Sequence, residues 1–152
     1  MIAWSRIDSR LIHGQVIEAW LPFLHVARVV VADAEASNDP LARAAYGLAV
    51  PAEVEVVLGA PDTLDFPALA SDAVRTLVLF RDVQAAVAAR AHGLPNGPLN
   101  VGNVHSGPGR VSVSRSVFLD ERDAQALSEL ARGGMEVRVQ AVPSEKAQPL
   151  SS

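Results

Sequence analysis

The chain has 152 residues, 49% of them apolar and 20% charged, enough to bury one sizeable core and too few for two catalytic domains. With 13 Lys and Arg against 17 Asp and Glu the net charge is −4, which gives no electrostatic basis for binding nucleic acid or an acidic membrane surface. The absence of cysteine excludes a disulfide scaffold, a thiolate zinc site, an iron–sulfur centre and a cysteine nucleophile.

The segment Met1 to Asp8 carries Arg6 and Asp8 where an export signal needs an unbroken apolar stretch. The longest apolar runs fall far short of the roughly 20 residues of a membrane span. A soluble, cytoplasmic protein is expected. A strand at the start runs through a polar turn into a helix from about Gly14 to Leu21. Arg28 to Asp33 reads as a buried strand, β-branched and too short for a helix. Ser37-Asn38-Asp39-Pro40 offers capping side chains and a first-turn proline, predicting a helix with its body over Leu41 to Val50. Glu53 to Leu58 is the next strand, Asp62 to Ala70 a short helix containing Pro67, and Thr76 to Phe80 another strand. Asp82 to His92 is an Ala-rich helix ended by Gly93, and Leu99 to Gly102 a strand entering a loop.

Beyond the Gly107-Pro108-Gly109 turn, Val111, Val113 and Arg115 alternate with serines and predict a half-exposed strand or hairpin. Asp120 caps a helix to Arg132, Gly133-Gly134 stops it, and Glu136 to Val142 alternates as a last strand. The repeated strand–helix units predict a single α/β domain of three layers: a mainly parallel central sheet, helices on both faces, and a C-terminal hairpin or edge-strand region. The domain is expected over residues 1–143, with 144–152 a tail. In such sheets the site lies beyond the carboxyl ends of the strands, which selects Asp8 to Gly14, Asp33, Phe80-Arg81 and Gly102-Asn103.

Arg6 to Val16 holds two guanidiniums, a carboxylate and an imidazole in one turn before a helix. Arginine presents a planar fork of donors to phosphate oxygens, and a helix N-terminus adds backbone N–H groups and a positive dipole end. Anion chemistry centred on His13 is one reading of these residues; solvated ion pairs around a surface histidine are the other. His25 and His92 lie at helix ends, where the dipole explains them. Trp4 and Trp20 read as core or partner-facing aromatics. No phosphate loop of the Gly-x4-Gly-Lys type and no metal-ligand spacing stands out, so no metal and no cofactor is expected.

The run Arg6-Ile7-Asp8-x-Arg10-Leu11-Ile12-His13-Gly14-Gln15-Val16 resembles the active-site signature of the IIB components of the mannose/fructose/sorbose class of the bacterial phosphoenolpyruvate-dependent sugar phosphotransferase system. The resemblance continues through Val30 to Asp33 with Ser37-Asn38-Asp39, Leu77 to Phe80, Asn100-Val101-Gly102, Val117 to Asp120 and Val137 to Pro143. Asn103 departs from it, standing where a second glycine is expected, so the conformation of that loop is the point to check.

The resemblance implies a protein-Nπ-phosphohistidine–sugar phosphotransferase: His13 takes a phosphoryl group on Nδ1 from a phosphohistidine of a separate IIA protein and passes it to a sugar entering through membrane IIC and IID subunits. Arg6 and Arg10 would stabilise the transferring group, backbone N–H groups from Leu11 through Ile12 to Gly14 would hold the phosphate, and Asp8 would orient the loop. Asp33, Asn38, Arg81, Gly102 and His105 are expected at the rim, with Arg6, Arg10 and Arg81 forming a basic patch for the donor. A phosphorylation-dependent regulatory module with the same His13 chemistry is the alternative. The sugar and a homo-oligomeric state are not legible.

Overall fold

A computed structural model describes residues 1–150. Their main sheet has seven strands in the order β3-β2-β4-β1-β5-β8-β9. The strands are β1 (Ile2–Asp8), β2 (Arg28–Ala32), β3 (Glu55–Gly59), β4 (Thr76–Phe80), β5 (Pro98–Asn103), β8 (Glu136–Val139) and β9 (Gln148–Pro149). All neighbours run parallel except β8 and β9. A separate antiparallel pair, β6 (Val111–Ser112) and β7 (Phe118–Leu119), is the hairpin expected after β5. Within the segment read as a tail, Gln148–Pro149 add the edge strand, while residues 151 and 152 lie outside the described residues.

Strand alternation sorts side chains between two cores. Ile7, Val30, Val78, Phe80, Leu99, Val101, Val137 and Val139 face one side, where α4 (Phe66–Ser71), α5 (Val83–Ala91) and α6 (Glu121–Arg132) supply Phe66, Val83, Ala86, Ala89, Leu127 and Leu130. Val29, Val31, Leu77 and Leu79 face the other, covered by Leu11, Val16, Trp20, Leu21 and Leu24, the last two from α1 (Leu21–Leu24). On that side Ala36 of α2 (Ala34–Ser37) is buried, and Ala42 and Tyr46 of α3 (Pro40–Ala49) pack against the core. The three layers are those expected.

The boundaries follow local chemistry. Asp33, Asp39, Asp65, Asp82 and Asp120 each accept a hydrogen bond from a backbone N–H in the first turn of the helix they precede, neutralising donors the helix leaves unpaired. Two expectations need correction. The Asp62 to Ala70 helix begins only at Phe66, because Asp65 caps it and Pro67 sits in its first turn. The helix after the polar turn is not regular: Val16–Trp20 form a π-helical turn before α1, which ends at His25 in left-handed conformation (φ 53°). The wider turn leaves both Val16 and Trp20 buried. Among the described residues no helix is long and apolar enough to cross a membrane.

Candidate functional site

The face of the sheet opposite the first core changes character along its width. Over β2 and β4 it is apolar, whereas over β1, β5 and β8 the outward positions are Trp4, Arg6, Asp8, Asn100 and Arg138. Gln140 follows β8, donating its N–H to the Val101 carbonyl. Trp20 comes down on this polar half. Its ring stacks on Trp4 at 5.6 Å, its centroid lies 5.1 Å from the Arg6 guanidinium carbon, and its indole N–H donates to the Ala141 carbonyl at 2.9 Å.

Under that ring the Arg6 side chain is wholly buried. Nε donates to Asp8 Oδ2 at 3.1 Å, Nη1 to Asn100 Oδ1 at 2.6 Å and to the Gln140 carbonyl at 3.2 Å, and Nη2 to Gln15 Oε1 at 2.9 Å. Burial pulls its pKa down from the ordinary value, while the charge of Asp8 and its hydrogen bond oppose the shift. Arg6 is therefore a buried cross-tie between strands. The expectation of a guanidinium open to a transferring phosphate is corrected: burial and these four partners commit its donors inward.

Asp8, also buried, is the junction of the site. Besides Arg6 it accepts from the Arg10 backbone N–H at Oδ1 (2.9 Å) and pairs with His13 Nε2 at Oδ2 (2.8 Å). The other ring nitrogen, Nδ1, lies 2.8 Å from Arg10 Nη2. Guanidinium has no lone pair to offer and an ionised carboxylate has no proton. The pair of contacts is satisfied by one neutral tautomer, with the proton on Nε2 and the lone pair of Nδ1 turned toward Arg10. The His13 side chain is 10% exposed, and Arg10 is open to solvent.

The turn is held by its apolar members. Leu11 has a left-handed backbone (φ 55°), and its side chain is completely buried. Such a conformation costs a non-glycine residue about 1–3 kcal/mol, offset by burying the leucine. Leu11 N–H donates to the Asp8 carbonyl at 3.0 Å, closing the turn, so it is not among free phosphate donors as the sequence led us to expect. Ile12 is buried beside it. The His13 carbonyl accepts from Ile17 N–H at 3.0 Å, so the helix starts directly after the imidazole. Gly14 is exposed, and nothing lies within 4 Å of where a side chain would begin.

The rim residues separate. Gly102 is buried under Arg6: a Cβ built there would overlap the guanidinium. Asn103 is not in a left-handed conformation, since Leu11 and His25 are the non-glycine residues with positive φ among those described; its carbonyl accepts from Ser9 N–H at 2.8 Å. A second glycine is not required there. Asp33 and Arg81 form a bidentate pair at 3.0 and 2.8 Å. Burial pushes the Asp33 carboxyl up, but the Arg81 hydrogen bonds, the Ala36 N–H and the Arg81 charge outweigh it and leave its pKa below the ordinary value. Paired in this way, Arg81 does not join a free basic patch, and with Arg6 buried the expected patch reduces to Arg10. Asn38 is exposed and donates to the Ala34 carbonyl at 3.0 Å. His105, His25 and His92 are exposed, and His92 Nδ1 lies 2.8 Å from the Ala88 carbonyl.

The sequence alone assigns no role to Asn100, Gln15 or the Gln140 carbonyl. The period-two pattern of β5, with Asn100 flanked by buried Leu99 and Val101, was the available signal, because a buried amide needs partners.

Over residues 2–152 the chain matches the family model of the PTS system sorbose subfamily IIB component. It is 31% identical over 147 residues to the N-acetylgalactosamine-specific phosphotransferase enzyme IIB component 2 of Escherichia coli (strain K12), covering 96% of this chain and 94% of that protein. Its fold superposes on the crystal structure of manxB from Thermoanaerobacter tengcongensis with a TM-score of 0.87 at 31% identity, covering 99% of this chain and 92% of that one. For the IIBSor domain of the sorbose permease from Klebsiella pneumoniae the TM-score is 0.88 at 25% identity, over 99% and 93% of the two chains.

Proposed function

The chain belongs to the sorbose-subfamily IIB components of the PTS system, and from that premise we propose that it is a phosphocarrier whose His13 Nδ1 takes a phosphoryl group from a IIA phosphohistidine and gives it to a sugar entering through membrane IIC and IID subunits. The observation that carries this reading is the opposed hydrogen bonding of the imidazole: Asp8 at Nε2 and Arg10 at Nδ1, each at 2.8 Å.

The first transfer breaks the N–P bond of the donor histidine and forms one at His13 Nδ1. The donor imidazole leaves with the bonding electron pair. Because Nε2 keeps its proton, the His13 ring gains positive charge as the new bond forms, and the Asp8 carboxylate beside that proton compensates it. Arg10 covers the lone pair in the resting protein, so it has to move from Nδ1 onto the incoming group, where its donors meet the oxygens that carry charge in the loose transition state. Gly14 leaves the approach open, and the helix start after His13 contributes its dipole.

In the second transfer the Nδ1–P bond breaks and a sugar hydroxyl oxygen bonds to phosphorus, its proton passing to solvent. The protonated Nε2 makes the imidazole a better leaving group. Arg6 acts at a distance in both steps by holding Asp8. Asp33, Arg81, Asn38 and His105 have no assigned step.

The test is phosphorylation by a phosphorylated IIA donor followed by peptide mapping of the acid-labile label. Label on His13, absent from His13→Ala, is the expected result; label on His25, His92 or His105 contradicts it.

A further inference from the structure

Arg6 and Asp8 both stand on β1, and the position of Arg6 depends on two residues of the neighbouring strand β5. Asn100 is 1% exposed and uses both ends of its amide: Oδ1 accepts from Arg6 Nη1 at 2.6 Å, and Nδ2 donates to the Gln140 carbonyl at 2.8 Å, the same carbonyl that Nη1 reaches. Two residues on, on the same face, Gly102 gives the guanidinium the volume it occupies; even a methyl group would overlap Cζ, Nη1 and Nη2. The Gly102 backbone is itself fixed, its carbonyl accepting from Ser116 Oγ at 2.8 Å. Gly102 has no positive φ. Glycine is required there by the guanidinium, not by the backbone.

We propose that Asn100 and Gly102 are positioning residues for the phosphoacceptor: together they seat Arg6, which through Asp8 sets the orientation and the tautomer of His13. The chain of contacts is continuous, from Asn100 Oδ1 to Arg6 Nη1, Arg6 Nε to Asp8 Oδ2, and Asp8 Oδ2 to His13 Nε2. Its members are buried up to the imidazole, so water does not substitute readily for a lost partner, and a displaced guanidinium changes what Asp8 can do for the ring. The proposal rests on His13 being the acceptor, and it assigns the glycine of the Asn100-Val101-Gly102 motif a role in the chemistry of a residue in the turn that follows another strand.

Two variants test it. Gly102→Ala pushes the guanidinium without removing a hydrogen-bonding group. Asn100→Asp keeps the shape and the oxygen facing Arg6, replaces the donor to the Gln140 carbonyl by an acceptor, and sets a second carboxylate competing with Asp8 for Arg6. The ring nitrogens of His13 are read by 15N NMR in the unphosphorylated protein at a pH where the ring is neutral, and phosphoryl acceptance is timed separately. In the parent the Nε2–H tautomer dominates; in both variants the expected result is a mixture, with acceptance slowed about 10- to 100-fold. The double variant falls short of the product of the two single effects, because both act through Arg6.

Folded variants with parental 15N shifts and parental rates overturn the proposal, and so does a slowed rate with unchanged shifts, which marks a structural role only. If Gly102→Ala does not fold, Asn100→Asp decides by the same two readouts. A parent that takes no phosphate on His13 overturns the phosphocarrier reading, while the shifts still report whether β5 seats the ring.

Discussion

A guanidinium only donates and a carboxylate only accepts, so Arg10 and Asp8 leave His13 one neutral form, with the lone pair on Nδ1. The two flanking residues differ in what they cost. Arg10 is exposed, and Arg10→Ala is expected to shift folding stability by no more than about 0.5 kcal/mol while slowing phosphoryl acceptance about 100- to 1,000-fold, the range for losing one aimed donor. Stopped-flow transfer beside thermal unfolding checks both halves, and a parental transfer rate removes Arg10 from the reaction. Asp8 is buried against the Arg6 cation, so Asp8→Asn is expected to lower stability by about 3 kcal/mol as well as to slow transfer by more than about 100-fold, because an amide permits the wrong tautomer. A variant as stable as the parent shows that Arg6 does not depend on that carboxylate. Arg6, Asp8, Arg10 and His13 were all legible as a cluster, but their depth was not: Arg6 and Arg10 are the same residue type four positions apart, and what buries one and exposes the other is a strand that continues to Asp8 and then turns.

Strands and helices were read well where a local rule decides them. The aspartate caps of α5 and α6 and the β-branched run of β2 act within a few residues, and the structure places those elements close to where they were expected. The π-helical turn at Val16–Trp20 follows instead from where Trp20 must go, onto Arg6 and the Ala141 carbonyl, contacts made with residues 14 and 121 positions away along the chain. Element-scale electrostatics give a pH test. The Asp33 carboxyl caps α2, and Arg81 is the main influence holding its pKa below the ordinary value. A carboxyl with a lowered folded-state pKa adds stability above its unfolded value, about 3.9, and that stability is lost as pH falls through the lowered value. Without Arg81 most of that stability is already missing at neutral pH, so Arg81→Ala is expected to be less stable than the parent near pH 7, with the difference narrowing as pH falls through the lowered value. At pH 7 the cost is about 1 kcal/mol or less, Arg81 being partly exposed. Superimposable acid-unfolding curves would show that Arg81 is an ordinary solvated residue.

At the scale of the molecule, one face of the sheet is apolar over β2 and β4, with Val29, Val31, Leu77 and Leu79, but carries Arg6, Asp8 and Asn100 over β1 and β5. The carboxyl ends of those strands are where a parallel sheet offers a crevice, and the sequence identified that edge correctly from the strand–helix rhythm. It could not show that Arg6 is buried and Arg81 paired at the surface, because their partners lie far off: Asn100 is 94 positions from Arg6 and Asp33 is 48 from Arg81. The whole arrangement, from the polar half-sheet to the buried cross-tie, converges on one nitrogen atom. That atom is reached most directly by phosphorylating 15N-histidine-labelled protein and reading 15N–31P coupling by NMR. Coupling to Nδ1 of His13, with Nε2 still bearing its proton, is the expected result. Coupling to Nε2, or to a nitrogen of any other histidine, would contradict the account.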